Sequence, residues 1–166
     1  VMGSRGSVIP FFIKNRESGS LSITNKEMTR FNITLREGVN MVIKALESNL
    51  GGEIFVPKLP SYRIIDLAEA IAPSCKYEET GIRPGEKIHE EMITSADSFS
   101  CIDLEDYFCI FSHGSNLIES YKERGIKFKD VPEGFSYNSK DNQHFLTIEE
   151  IRNLIKDNLD NNFIPY

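Results

Sequence analysis

The chain has 166 residues, 40% of them hydrophobic and 27% charged, which suits one globular domain with a sizeable core and leaves no room for bulk disorder. Its formal net charge of -6 argues against a broad phosphate-binding surface for nucleic acid, but not against a local pocket where a few arginines converge on one diphosphate. No apolar run approaches the roughly 20 residues of a membrane span and no signal peptide opens the chain, so the expectation is a soluble, cytoplasmic protein.

The chain opens on Val1-Met2-Gly3-Ser4-Arg5-Gly6. A glycine-rich start of this kind usually follows a strand, and the expectation is that a strand precedes it in a longer protein. Val8 to about Glu17 reads as a helix, with Pro10 suited to its first turn. Leu21 to Thr24 alternates like a short strand, and Met28 to Ile33 reads as extended. Thr34-Leu35-Arg36-Glu37 has the form of a capping box. Behind it Leu35, Val39, Val42, Ile43 and Leu46 recur at helical spacing, predicting a helix from Leu35 to about Ser48. Gly51-Gly52 stops it, and Glu53 to Pro57 reads as a buried strand. Ile64, Ile65, Leu67, Ala68 and Ile71 mark a helix ending before Pro73, with a strand expected over Lys76 to Ile82. Leu104 to Phe111 reads as one strand, and Leu117 to Arg124 as a short helix. Thr147-Ile148-Glu149-Glu150 is a second capping box, leading into a helix with Ile151, Leu154, Ile155 and Leu159 on one face. Strands alternate with helices in the first half, so we expect a single α/β unit over 1–166. Within it, 1–7 reads as a cofactor-side loop, 8–93 as the core, and 94–166 as a C-terminal extension.

Several residues can carry chemistry. Gly3 to Ser7, ahead of an apolar helix start, offers free backbone N–H groups and one cation, an arrangement that suits an anion; an ordinary strand-to-helix turn has the same form. Arg30 lies among apolar neighbours, and Arg83 in a Pro-Gly turn beside Glu86 and Lys87. Arginine suits a diphosphate because its planar fork bonds two oxygens at once, although each of these also fits a structural ion pair. His89-Glu90 begins like a zinc-protease motif, but Ile93 stands where the second histidine must be, so no metal is expected. Cys75, Cys101 and Cys109 form no C-x-x-C pair and read as reduced thiols. His113 and His144 stand alone, and Asp103, Glu105 and Asp106 read as a solvated edge. Tyr137 to Gln143 is dense in hydrogen-bonding groups, either as a plain polar loop or as a flap over a ligand.

Taken together, the runs VMGSRGSVIPFF (from Val1), ITNKEMTRFNITL (from Ile23), GEIFVPK (from Gly52) and GIRPGEKIHEEMI (from Gly81) resemble the inverting UDP-N-acetylglucosamine 4,6-dehydratases. The resemblance spans nearly the whole chain. It implies the C-terminal, substrate-binding portion of an extended short-chain dehydrogenase/reductase, with a Rossmann half holding NADP lying elsewhere. It implies an NADP-dependent lyase acting on UDP-N-acetylglucosamine, a homo-oligomer when complete, with a product used for pseudaminic acid, flagellin or surface glycan. By the same resemblance, Val1, Met2, Gly3, Ser4 and Arg5 line the cofactor. Ile9, Thr24, Arg30 and Arg83 touch the substrate, with Asn142 or Gln143 as a further contact. Asn32 and Phe145 stand where the family usually has tryptophan, a change expected to alter packing more than chemistry.

The catalytic tyrosine and lysine of that family are expected upstream of Val1. Four residues after Tyr62, Tyr77, Tyr107, Tyr121 and Tyr137 come Asp66, Gly81, Phe111, Gly125 and Asp141, so no Y-x-x-x-K pair shares a helix face. The dinucleotide glycine fingerprint is missing too. The chain by itself is therefore expected to be inactive, with a sticky surface where a Rossmann sheet would pack. A UDP-sugar epimerase of the same fold and a non-catalytic UDP-binding module are the alternatives.

Overall fold

Contacts in the computed structural model, which describes residues 1–112, 114 and 116–166, cluster into two compact units. The first comprises Val1–Leu35, Leu59–Glu90 and Ser139–Tyr166; the second comprises Arg36–Lys58 and Glu91–Asn138.

The first unit is built on three helices. Helix α1 is Val8–Asn15, continued by a 3-10 turn at Arg16–Ser18. Pro10 is tolerated in its first turn because an N–H there would have no intrahelical partner. Helix α3 is Ile64–Ile71, with Ile64, Leu67, Ala68 and Ile71 buried at the i, i+3, i+4, i+7 spacing of a single face. Ala72, at φ -143, leaves the helical region ahead of Pro73, as steric clash with a following proline ring favours. Helix α5, Ile148–Asn158, packs on α3 through Ile151 and Ile155. Strand β1 (Ser20–Ile23) pairs in parallel with β5 (Lys76–Glu79), shorter than the expected 76–82, and β2 (Thr29–Phe31) pairs antiparallel with β4 (Ser61–Arg63). Ile9, Phe12, Leu21, Ile23, Leu67 and Ile155 close the core between these layers.

The capping box that opens α5 is fully formed. Glu150 N–H donates to Thr147 Oγ1 at 3.2 Å, and Thr147 N–H donates to Glu150 Oε2 at 2.8 Å. The Thr147 N–H and the Thr147 hydroxyl, which donates to the same Oε2 at 2.8 Å, hold the Glu150 carboxyl below the usual carboxylate range. A depressed folded-state pKa contributes stability above the unfolded value, lost as pH falls through the folded one. Thr147→Ala is expected to lower stability by about 1 kcal/mol. Glu150→Gln should flatten the acid limb of the stability–pH curve; thermal melts between neutral and acid pH check both.

The second unit holds helix α2 (Leu35–Ser48) and a four-stranded antiparallel sheet in the order β3, β8, β7, β9. These strands are Ile54–Pro57, Tyr107–Ile110, Cys101–Asp103 and Lys129–Asp130. The expected single strand over 104–111 is instead the turn and second arm of a β7–β8 hairpin. Glu105 takes φ 69 at its tip, and its N–H donates to Asp103 Oδ1 at 2.9 Å. Strand β3 is buried only at Val56, less than a fully buried strand would be. Helix α4 (Leu117–Glu123) covers the sheet through Leu117 and Tyr121, and strands β6 (Glu91–Ile93) and β10 (Tyr137–Asn138) pair antiparallel. Asp103 and Asp106, read as a solvated edge, bind Lys58 and Lys44. Burial pushes the Cys101 and Cys109 thiols up to about 11 and about 12, so they are packing groups rather than nucleophiles.

One face of α2 is unusual. Leu35, Val39, Val42, Ile43 and Leu46 are 70%, 50%, 60%, 49% and 70% exposed, although their spacing marks a face built for burial. Met41, on the far side of the helix, packs against the cluster of the second unit.

Candidate substrate cleft

A cleft of about 1290 Å³ opens in the first unit. Its first wall is the N-terminus of α1 and the turn before it. That turn is closed by Ser4 N–H donating to Val1 O and Ser7 N–H donating to Ser4 O. Gly3 takes φ +74, and a Cβ there would lie 2.1 Å from Leu159 Cδ2, so any side chain would strain the turn and displace Leu159. Val1, Met2, Ser4 and Arg5 line the cleft, while Gly3 supplies the bend behind them.

Ser7 is the N-cap of α1, yet its hydroxyl makes no capping bond. Its Oγ is buried, lines the cleft and has no partner among the described residues. Buried hydroxyls are normally satisfied, so one left open beside the free N–H groups of a helix start marks a place for an acceptor-rich ligand.

A second wall is the end of β1 and the first part of the arm 81–90. Gly81 N–H donates to Thr24 O at 3.1 Å and Thr80 N–H to Ile23 O at 2.9 Å, seating the arm beside Ile23 and Thr24. Glu86 then closes the Arg83-Pro84-Gly85 turn. Its carboxylate accepts from Arg83 N–H at 3.2 Å, and its own N–H donates to Arg83 O at 3.0 Å. The Arg83 guanidinium takes no part in this and has no ion pair or hydrogen bond among the described residues.

Ile9, Met28, Phe31, Asn32 and Tyr62 complete the lining. Burial pushes the Tyr62 phenol up to about 12, against the opposing pull of Arg30, so it stays protonated at neutral pH. Asn32 is buried, its N–H donating to Pro60 O; Phe145 stacks under the Arg63 guanidinium, 5.9 Å from its carbon. The charged side chains of the lining are Arg5, Lys14, Arg30 and Arg83 against Glu86 alone. In a chain of net charge -6, that local excess of cations selects an anionic ligand.

Arg30 lines the cleft but is already engaged. Its guanidinium donates to Thr29 O at 2.7 Å, Ile88 O at 2.9 Å and Lys87 O at 2.9 Å, and pairs with Glu90 at 3.3 Å. In this geometry it is a structural cross-link, whereas Arg83, like Arg5 and Lys14 of the same lining, has no ion pair among the described residues. Asn142 and Gln143 do not line the cleft. The Asn142 amide donates to Leu59 O at 2.7 Å and Ser61 Oγ at 3.0 Å, pinning the polar loop down, and Gln143 is exposed. His144 offers its carbonyl to Ser61 N–H; His113 lies outside the described residues. The cleft also uses Lys14 and Tyr62, which the sequence did not single out, and Ser7, which it read only as the end of the Gly3 to Ser7 run.

Among the described residues, no helix is long and apolar enough to cross a membrane, and no three His, Cys, Asp or Glu side chains come together as a metal site.

A sequence profile described as "Polysaccharide biosynthesis protein" matches residues 1–112. The chain is 44% identical over 162 residues to a UDP-N-acetylglucosamine 4,6-dehydratase (inverting) of Campylobacter jejuni subsp. jejuni, covering 93% of this chain and 48% of that relative. It is 37% identical over 161 residues to a UDP-glucose 4-epimerase of Rickettsia canadensis, covering 93% and 46%. Among solved structures, "X-ray structure of Pen from Bacillus thuringiensis" superposes with a TM-score of 0.78 at 35% identity, over 95% of this chain and 47% of that one. The chain thus spans about half the length of the relatives it matches. The α/β class, as one portion of a longer extended short-chain dehydrogenase/reductase fold, stands on that superposition. With its profile match running through both walls of the cleft, the chain belongs to the polysaccharide biosynthesis protein family.

Proposed function

We propose that the cleft binds UDP-N-acetylglucosamine, with the diphosphate between the start of α1 and Arg83. The carrying observation is the pairing of a buried, unpartnered Ser7 hydroxyl with an unengaged Arg83 in a cation-rich lining. Free N–H groups and the positive end of a helix stabilise phosphate oxygens, and a guanidinium fork adds charge-assisted bonds from the other side. Ile9 and Thr24 then lie along the same ligand.

In the complete enzyme the reaction we infer is C5-inverting 4,6-dehydration. The sugar is oxidised at C4, water is lost as the C5 proton and the C6 hydroxyl, hydride returns to C6, and a proton adds to C5 on the opposite face. The product, a UDP-4-keto-6-deoxy sugar, suits pseudaminic acid, flagellin or surface glycan synthesis in the cytoplasm. NADP, when bound, supplies the removal and return of hydride. This chain offers it only the Val1–Arg5 edge of the cleft and contains no glycine fingerprint. The chain's own residues bind and orient the nucleotide. Oligomerisation of the complete enzyme belongs to the same reading.

An epimerase reading is favoured by one observation, the 37% identity to a UDP-glucose 4-epimerase; the catalytic segment decides between the two reactions. Calorimetric titration of UDP, UMP and uridine into the chain tests the site itself. Affinity should fall in that order and weaken with salt; equal affinity for uridine and UDP would remove the diphosphate from the reading. Supplied with UDP-N-acetylglucosamine and NADP, the chain alone is expected to give no turnover, and product seen by NMR would count against the division of labour.

A further inference from the structure

We propose that Thr29, His89 and Ser139 are positioning residues, a hydrogen-bonded latch that fixes the far end of the 81–90 arm and so sets where Arg83 stands. The arm contains no helix or strand of its own. Its near end is held by Gly81 N–H on Thr24 O. Its far end is held from two sides. On one side Thr29 N–H donates to Ile88 O at 3.1 Å, and Arg30 ties Lys87, Ile88 and Glu90 to the same strand. On the other side Ser139 N–H donates to Glu90 O at 2.7 Å.

Between those sides runs a chain of side-chain bonds. Ser139 Oγ accepts from Glu90 N–H at 2.9 Å and lies 2.7 Å from Thr29 Oγ1, which lies 2.8 Å from His89 Nδ1. Glu90 N–H is the donor at one end of the chain; each hydroxyl can both donate and accept, and the His89 ring nitrogen can do either according to its tautomer, so the chain closes in either direction. Thr29 is 5% and Ser139 0% exposed, so bulk water does not replace a lost partner, and each broken link leaves a buried polar group unsatisfied. None of the three lines the cleft; they act on a ligand only through the arm.

The consequence for a nucleotide rests on the UDP reading above, but the latch does not, and the experiment separates them. Thr29→Val removes the hydroxyl and keeps a β-branched side chain, Thr29→Ser restores the hydroxyl, and Ser139→Ala breaks the chain one link away. Native-state amide hydrogen exchange is followed over 82–90, α3 and α5, beside UDP titration. In Thr29→Val and Ser139→Ala, exchange over 82–90 should quicken about tenfold or more while α3 and α5 keep their protection. UDP affinity should fall on the order of tenfold. Thr29→Ser should return both readings close to wild type. Unchanged exchange over 82–90, an acceleration shared equally by α3 and α5, or a Thr29→Ser variant as impaired as Thr29→Val would overturn the latch. Quickened exchange with unchanged UDP affinity would overturn its positioning role. Should Thr29→Val not fold, Ser139→Ala and Thr29→Ser carry the comparison. A wild type that fails to bind UDP removes the nucleotide reading, and the exchange data still decide the latch.

Discussion

Replacing Arg83 with alanine is expected to weaken UDP binding roughly ten- to a hundredfold, the loss of a charge-assisted contact worth about 1.5–3 kcal/mol, while leaving the melting temperature nearly unchanged. The guanidinium is exposed in the cleft wall and makes no ion pair among the described residues, so its removal leaves no buried partner behind. Glu86 is the obvious candidate for a structural partner, but it holds the Arg83 backbone N–H and not the side chain. Lysine at the same position should recover only part of the affinity, because it restores charge without the planar fork. Arg30→Ala should behave in the opposite way. That change strips donors from three carbonyls and a carboxylate, so the melt should drop first and affinity should follow as the arm loosens. Calorimetric titration with a thermal melt for each variant distinguishes the two arginines. Intact UDP affinity in Arg83→Ala would remove the diphosphate assignment from this arginine; a melt that falls with it would make Arg83 structural.

The difference between these arginines marks the limit of what the sequence made legible. Elements governed by local chemistry were readable: the α5 capping box lies within four residues, and α2 and α3 announce themselves by periodicity. The hairpin over 101–110 was hidden. Its turn uses Leu104, Glu105 and Asp106, with no glycine or asparagine to punctuate an apolar run, and Asp103 supplies the turn bond instead. Arg30 and Arg83 read alike in the sequence, each suited to an anion or to a structural ion pair. What separates them is a set of carbonyls 57 and 58 positions along the chain, which no local pattern encodes. Likewise Asn142 stands in a loop that reads as either a plain polar loop or a flap, and its amide reaches Leu59 O, 83 positions away. The walls of the cleft were legible as motifs. Which of their side chains remain free was not.

The α2 stripe leads to the second large effect, on solution behaviour. Leu35, Val39, Val42, Ile43 and Leu46 are each about half exposed or more. Full burial of such a side chain contributes about 1.5–3 kcal/mol, so half-burial of ten of them, five from each of two copies, yields on the order of 10 kcal/mol. Association costs about 4–15 kcal/mol in lost freedom. The balance is marginal, and the chain alone should therefore self-associate weakly and with concentration rather than form a tight dimer. Val39→Glu with Leu46→Glu should abolish the association. Glutamate is a good helix former, and both positions already face solvent, so the helix should persist. Circular dichroism should be unchanged, and UDP affinity too, because neither residue lines the cleft. Sedimentation velocity across a hundredfold range of concentration reads the effect: a rising weight-average coefficient for the wild type and a flat one for the double variant. A wild type that stays monodisperse throughout, or a double variant that associates as the wild type does, would overturn self-association through α2.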